Sequence, residues 1–431
     1  MRAQSLVHSP MANSFSYHNG WLHCEEVNIK SIAKQVGTPF YLYSTRKISS
    51  QFAIIKQLIG SMDARIYYAM KANSNLAVLR HLHNLGAGFD VVSGGEFQKA
   101  IKVGSNGSSI IFSGVGKTKD ELELTLKGNI KQFNIESFPE LLALNEVAGQ
   151  VGIRAPVSIR VNPDVDANTH EKISTGRAGD KFGIPILRAA EFFQLANQLE
   201  WVEPKGIDIH IGSQITSVDP FKKAFNSVAK LVMELRQGGH VIDFLDIGGG
   251  LGIPYNHECD TPFAIEEYFK LIRDIINPLD CEIELEPGRF IVAEAGVLVS
   301  EVIYEKSAER NILIIDAAMN DLIRPTLYSA YHPIVAIKKS STDQPLRIYD
   351  VVGPVCETGD TFTRGRELPS FNNGDLLAFL NAGAYGAVMA SEYNTRPLVP
   401  EVLVSGSHWQ VVRERPSFQA MIEREKIPDW L

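Results

Sequence analysis

Lys71 closes an apolar run, Ile66, Tyr67, Tyr68, Ala69 and Met70, with the texture of a buried β-strand. An ammonium there is costly to desolvate. Either its stem snorkels to water, or its amine serves a reaction that needs lowered basicity. Further along, His210 and Ser213 stand in "HIGSQ", Asp246 heads the glycine run "DIGGGLG", and "EPGR" places Glu286 close to Arg289. Glycines such as Gly248, Gly249 and Gly250 let a backbone approach an anion, and equally allow a tight strand exit. Glu286 and Arg289 can pair with each other, and a lone histidine can be structural. As a set, an amine for a Schiff base, an anion site and a carboxylate to keep a ring nitrogen protonated are the requirements of pyridoxal phosphate.

These residues need elements that bring them to one place. From about residue 40 to 290, short β-branched runs alternate with segments of helical period, the pattern of βα units around a parallel sheet. About eight runs read as strands: "RIYYAMK", "AGFDVVS", "SIIFSG", "QFNIES", "VSIRVNP", "GIDIHIGS", "FLDIGGG" and "EIELEPGR". That number closes a (β/α)8 TIM-like barrel, whose active site lies at the C-terminal ends of the strands. Those ends are polar or glycine throughout: Lys71, Asp90 with Ser93, Ser113, Asn134 with Glu136, Arg160 with Asn162, His210 with Ser213, Gly248 to Gly250, and Glu286 with Arg289. Strands always exit into polar loops, but together these ends suggest one lined polar pocket. Between strands, Thr118-x-x-Glu121 and Ser137-x-x-Glu140 look like capping boxes, Asp219 before Pro220 looks like an N-cap, and Gly86 looks like a helix stop.

After about residue 295 the helical period fades and strands alternate with turns, with "NNG" at Asn372 to Gly374 as a turn signal. We therefore expect a barrel over 38–294 and a second, β-rich domain built from 1–37 and 295–431, with "WLHCEEVNI" as strand material joining it.

Composition narrows the partners. The chain has 431 residues, 45% of them hydrophobic and 21% charged, so a sizeable core can form. A net charge of -8 without a dense basic run argues against nucleic acid or an anionic membrane, leaving small molecules. The opening "MRAQSLVHSPMANSF" has no apolar h-region and no stretch is long enough to span a bilayer, so a cytoplasmic location is expected. Cys24, Cys259, Cys281 and Cys356 lack CxxC spacing, and one His257-x-Cys259 pair does not make a zinc site, so neither a disulfide framework nor a metal is expected.

With these residues assembled, the chain resembles the fold-type III pyridoxal phosphate-dependent decarboxylases over nearly its whole length. The likeness runs from "TPFYLYS" through "YAMKAN", "DVVSGGE", "HIGSQ", "DIGGGLG", "EPGRF", "DLIRPTLYSAYH", "GPVCETGD" and "NAGAYG", and "GDKFGI" matches a further family block. The resemblance implies that Lys71 carries the cofactor, His210 stacks on its ring and Glu286 holds its ring nitrogen. It places Asp90, Ser213, Gly248, Gly249, Gly250, Gly288, Arg289 and Tyr385 around the cofactor. It assigns Arg289, Arg324, Tyr328, Glu357 and Tyr385 to the substrate, with arginines suited to a carboxylate and Glu357 to a distal ammonium. Cys356, whose thiol can give up a proton, becomes the candidate donor to Cα. The implied reaction is loss of CO2 from meso-2,6-diaminopimelate to give L-lysine, the last step of lysine synthesis. A homodimer with shared sites is also implied, because in relatives the "CE" segment comes from the neighbouring subunit. The rivals are an ornithine-, arginine- or carboxynorspermidine-type decarboxylase, an alanine racemase, or a non-catalytic relative that regulates another decarboxylase.

Overall fold

The structure is a computed structural model that describes residues 14–167, 169–177, 179–256, 258–307, 310–339 and 346–431; His257 lies outside them. The chain divides into two compact units, 51–291 and 1–50 with 292–431.

The first unit is a closed barrel of eight parallel strands: β1 Ala64–Ala69, β2 Gly88–Val91, β3 Ile110–Phe112, β4 Gln132–Ile135, β5 Ala155–Asn162, β6 Val202–Asp208, β7 Phe244–Asp246 and β8 Glu282–Leu285. Each pairs with the next, β4 with β5 included, and β8 pairs with β1, which closes the ring. All eight strands expected from the sequence are present. The helices between them begin and end where local chemistry dictates. Thr118 Oγ1 accepts from Glu121 N and Glu121 Oε2 accepts from Thr118 N, a full capping box on Lys119–Lys127. Gly86 ends Leu76–Leu85 in the left-handed conformation. Two expectations change. Ser137 caps Phe138–Val151, but Glu140 turns its carboxylate to Glu136 N and Lys117 Nζ instead of back to the cap. Asp219 is the first residue of Asp219–Gln237 rather than its cap, and Ser217 Oγ accepts from Asp219 N.

Side chains alternate along each strand, so every second residue faces the barrel axis. Here the inward positions carry polar groups. Gln132 and Asn134 on β4 bond to each other, and Gln132 also bonds Glu284 of β8. The intervening Phe133, Ile135, Ile283 and Leu285 are buried on the other face.

The second unit holds a three-stranded sheet, Phe15–His18, Trp21–Cys24 and Val27–Asn28, and a larger mixed sheet. Gly296–Ser307 is central to the latter, antiparallel to Phe40–Ser44, Asn311–Ile315 and Leu376–Phe379. Leu22, Cys24, Ile29 and Ile32 share one core with Phe40, Leu42, Val297 and Val404, so the N-terminal strands do join this unit. Phe40–Ser44 lies within the stretch expected in the barrel, yet it pairs with Gly296–Ser307 and Glu401–Ser405. The boundaries accordingly fall at 50/51 and 291/292 rather than near 38 and 294. A uniformly apolar five-residue strand looks the same in either sheet, and only its pairing separates the two cases.

Candidate active site

Lys71 sits in the turn Met70–Ala72 directly after β1, and its Nζ donates to Asp90 Oδ2 of β2 at 3.2 Å. Asp90 is fully buried, whereas the lysine side chain remains 35% exposed. The amine thus stands at the border between the barrel and solvent, paired but reachable. The second Asp90 oxygen, Oδ1, is buried without a hydrogen-bond partner, an acceptor that a bound polar group would satisfy.

Glu286 follows β8 and is buried, with Oε1 accepting from Ser113 Oγ at 3.3 Å. Its proton affinity is pushed well above the ordinary carboxyl range by burial and then by the nearby Asp90 and Asp208, with Lys71 opposing. Asp208 and Asp246, at the ends of β6 and β7, bring carboxylate oxygens within 4.8 Å of those of Glu286. Burial raises Asp208 to about 7 despite Arg160, whose Nε lies 3.7 Å from its Oδ2.

Arg289 Nη2 donates to Ser213 Oγ at 2.9 Å and its Nη1 to Tyr255 Oη at 2.8 Å, so the guanidinium and the HIGSQ segment share one place. Beside them the glycine run is stitched between two strand exits: Glu286 N donates to Gly248 O, and Ile215 N donates to Gly250 O. A Cβ on Gly249 would come within 2.1 Å of Glu286 O. The loop is a tight strand exit, and the close approach that requires glycine also leaves it free of side chains, as an anion cradle would need.

His210 is half-buried beyond the end of β6. The Thr175 hydroxyl gives its one proton to His210 O at 2.7 Å and lies 3.1 Å from His210 Nδ1, so Nδ1 must carry the hydrogen in that contact. Burial first, then Lys71 and Arg160, hold this imidazole well below its usual pKa, leaving a neutral ring. The GDKFGI loop is fastened to the barrel: Gly183 N donates to Glu136 Oε2, Arg160 bonds Glu136 Oε1 at 2.9 Å, and the Arg160 guanidinium lies over Phe182.

The remaining candidates lie in the second unit. Arg324 is buried at the start of Arg324–Tyr328, 2.8 Å from His332 Nε2. Tyr328 and Tyr385 are half-buried, and Tyr385 has a positive φ of 56°. Cys356 is an exposed free thiol, and the neighbouring Glu357 accepts from Tyr393 Oη at 3.1 Å. Thr326 Oγ1 donates to Gly359 O at 2.7 Å, tying the Arg324 helix to the loop that carries Cys356.

Sequence reasoning missed Asp208, Asp246, Tyr255, Thr175, His332 and Tyr393. The first two end strands like the residues that were found, and the same strand-end rule reaches them. The other four lie on loops or outside any motif.

The barrel mouth gathers an amine at its rim, a buried carboxyl of raised proton affinity, a neutral imidazole, and an arginine with a serine beside a bare glycine loop, a set whose chemistry fits pyridoxal phosphate. The unpartnered buried Asp90 Oδ1 agrees with binding of a further polar group. Residues 45–293 match the family described as pyridoxal-dependent decarboxylase, pyridoxal binding domain. The chain is 45% identical over 417 residues to a diaminopimelate decarboxylase of Pseudomonas fluorescens, covering 96% of this chain and 99% of that protein. Among solved structures, it resembles diaminopimelate decarboxylase from Helicobacter pylori complexed with L-lysine, with a TM-score of 0.89 and 41% identity over 92% of this chain and 99% of that one. It also resembles the M. jannaschii enzyme in complex with L-lysine, with a TM-score of 0.92 and 34% identity over 98% of this chain and 99% of that one. The chain belongs to the pyridoxal-dependent decarboxylase family.

Proposed function

We propose that the protein decarboxylates meso-2,6-diaminopimelate to L-lysine and CO2, the last step of lysine synthesis. The observation that carries this reading is the likeness to diaminopimelate decarboxylases across almost the full length of both chains, including the second unit. The barrel residues support it as follows. Lys71 Nζ anchors the cofactor, and Glu286 holds a proton toward its ring nitrogen. His210 offers a neutral ring face, which does not repel a pyridinium. Ser213, Arg289 and the loop Gly248 to Gly250, with Gly288, bind the phosphate. Asp90 pairs with the amine that Lys71 presents. Bound there, pyridoxal phosphate supplies the electron sink into which the bonding pair of the departing carboxylate is drawn.

The second unit contributes the substrate side of this proposal. Arg324, together with Arg289, grips the carboxylate that is kept, with Tyr328 and Tyr385 alongside, and Glu357 receives the distal ammonium. Cys356 gives its thiol proton to the Cα that has lost CO2, which completes the replacement of a carboxylate by hydrogen. In this reading the Cys356 segment comes from the partner of a homodimer. A cytoplasmic location completes the proposal; among the described residues no helix is long and apolar enough to cross a membrane.

The test is release of CO2 and L-lysine by the purified protein with pyridoxal phosphate, comparing meso-diaminopimelate with ornithine, arginine and carboxynorspermidine. Selective turnover of the first is expected. Preference for another would remove the substrate assignments of Glu357 and Arg324 while keeping the cofactor site.

A further inference from the structure

The interior of a (β/α)8 barrel is ordinarily filled by layers of branched apolar side chains. Here a hydrogen-bonded polar column runs through it. Lys131 Nζ lies 2.9 Å from Glu284 Oε1, and Gln132 Nε2 bonds Glu284 Oε2 at 2.8 Å and Asn134 Oδ1 at 3.0 Å. Asn134 Nδ2 then donates to both Ser113 Oγ and Asp246 Oδ2 at 3.2 Å, and Ser113 Oγ donates to Glu286 Oε1. Asp246 and Glu286 are both buried, and their oxygens approach within 4.8 Å. Two carboxylates so placed cannot both carry a full charge, and such a pair titrates as a unit.

Burial and then Glu286, Asp208 and Glu284 push Asp246 itself well above the ordinary carboxyl range, and its own hydrogen bonds oppose that rise. One of its oxygens accepts from Gly248 N at 2.8 Å and the other from Asn134. Bonds of that kind favour the ionised form. Glu286 accepts from the Ser113 hydroxyl, is in hydrogen-bond contact with Asp246, and has Lys71 among the charges that act on it.

We infer that Asp246 is a positioning residue that shares one proton with Glu286, so that its charge fixes the proton between Glu286 and the ring nitrogen of the bound cofactor. This rests on the proposed role of Glu286. The groups that act on the pair are Asp90 of β2, Asp208 of β6, Glu284 of β8, Lys71 after β1, Arg160 of β5 and Tyr268 of Ile265–Leu271. The acids among them add to the pair's hold on a proton, Lys71 and Arg160 oppose it, and the hydrogen bond between the two carboxyls lowers the share of Glu286 itself. Asp246→Asn removes a negative charge while keeping a polar group of the same size. The ring nitrogen of that variant should therefore lose its proton at lower pH.

The experiment is 15N NMR of the holoenzyme loaded with ring-15N pyridoxal phosphate, followed against pH beside the pH profile of kcat. In Asp246→Asn the ring proton should be held roughly tenfold less tightly or weaker still, a shift of about one pH unit downward, and the alkaline limb of kcat should move with it. In wild-type holoenzyme the carboxyl 13C signal of Asp246 should follow the ring 15N with a common midpoint, a reading that needs no variant to fold. A ring nitrogen unmoved by Asp246→Asn, or an Asp246 carboxyl titrating independently of it, would overturn the inference. A Glu286→Gln control separates the two ways to fail. Indifference to that change removes the Glu286 role as well, whereas a response to Glu286 but not to Asp246 sinks the inference alone.

Discussion

Lys71 shows why a charged residue belongs at the end of an apolar strand. Ile66 to Met70 are buried, but the turn that follows lifts Nζ to the rim, where Asp90 balances its charge. Lys71→Ala should abolish both turnover and the visible absorption band of the bound cofactor; a variant that kept the band would take the anchoring role from this residue. Cys356 calls for the opposite signature. Cys356→Ala should bind cofactor normally while kcat falls about 100-fold or more, the scale of a lost proton donor. Wild-type turnover in stopped-flow assays would refute its part. Lys71, His210 and Glu286 were legible in the sequence because each closes a strand. Tyr255 was not, since its contact with Arg289 joins positions 34 residues apart in the chain with no shared motif.

At the level of elements, the loop after β7 couples packing to chemistry. Gly249 lies against the backbone of Glu286, so a methyl group there must displace the residue proposed to hold the proton. Gly249→Ala should cost about 1–3 kcal/mol in denaturant unfolding and weaken cofactor binding in the same variant. Loss of stability with unchanged cofactor affinity would make the glycine purely structural. The eight strands were legible as apolar runs bounded by turn residues, and Lys119–Lys127 was legible through its capping box. Ser137-x-x-Glu140 was misread for a physical reason: Lys117 and Glu136 N compete for the Glu140 carboxylate, and neither competitor is visible in a four-residue motif.

For the molecule as a whole, burying acids makes folding depend on pH. Asp208 rises from an ordinary value of 3.8 to about 7, so between those values the folded chain keeps a proton that the unfolded chain has released. Its contribution to stability is complete below the lower value and is lost as pH rises toward 7. His210, held below its usual pKa, acts with the opposite sign, its contribution being lost as pH falls below about 6.5. That term is common to wild type and Asp208→Asn and drops out of their difference. Thermal melts should therefore show Asp208→Asn gaining on wild type from pH 5 to 7 and levelling above; a gap that does not change with pH would count against the buried titration. If the proposed dimer shares its sites, mixing inactive Lys71→Ala with inactive Cys356→Ala and allowing exchange should restore about one quarter of wild-type activity, because half the dimers are mixed and each has one intact site. No recovery after demonstrated exchange would place Lys71 and Cys356 of each site in one chain.

By itself, the sequence determined the barrel, the β-rich second unit and the residues at the strand ends. Those are written locally, in apolar periodicity and in the residue that follows each run. Only the tertiary structure decided that Phe40–Ser44 belongs to the second sheet, that the glycine loop is wedged between two strand exits, and that Gln132, Asn134, Asp246 and Glu284 form a polar column behind Glu286. Pairing, close approach and shared protons are relations between distant positions. They exist once the sheet has closed and brought those positions within hydrogen-bond range.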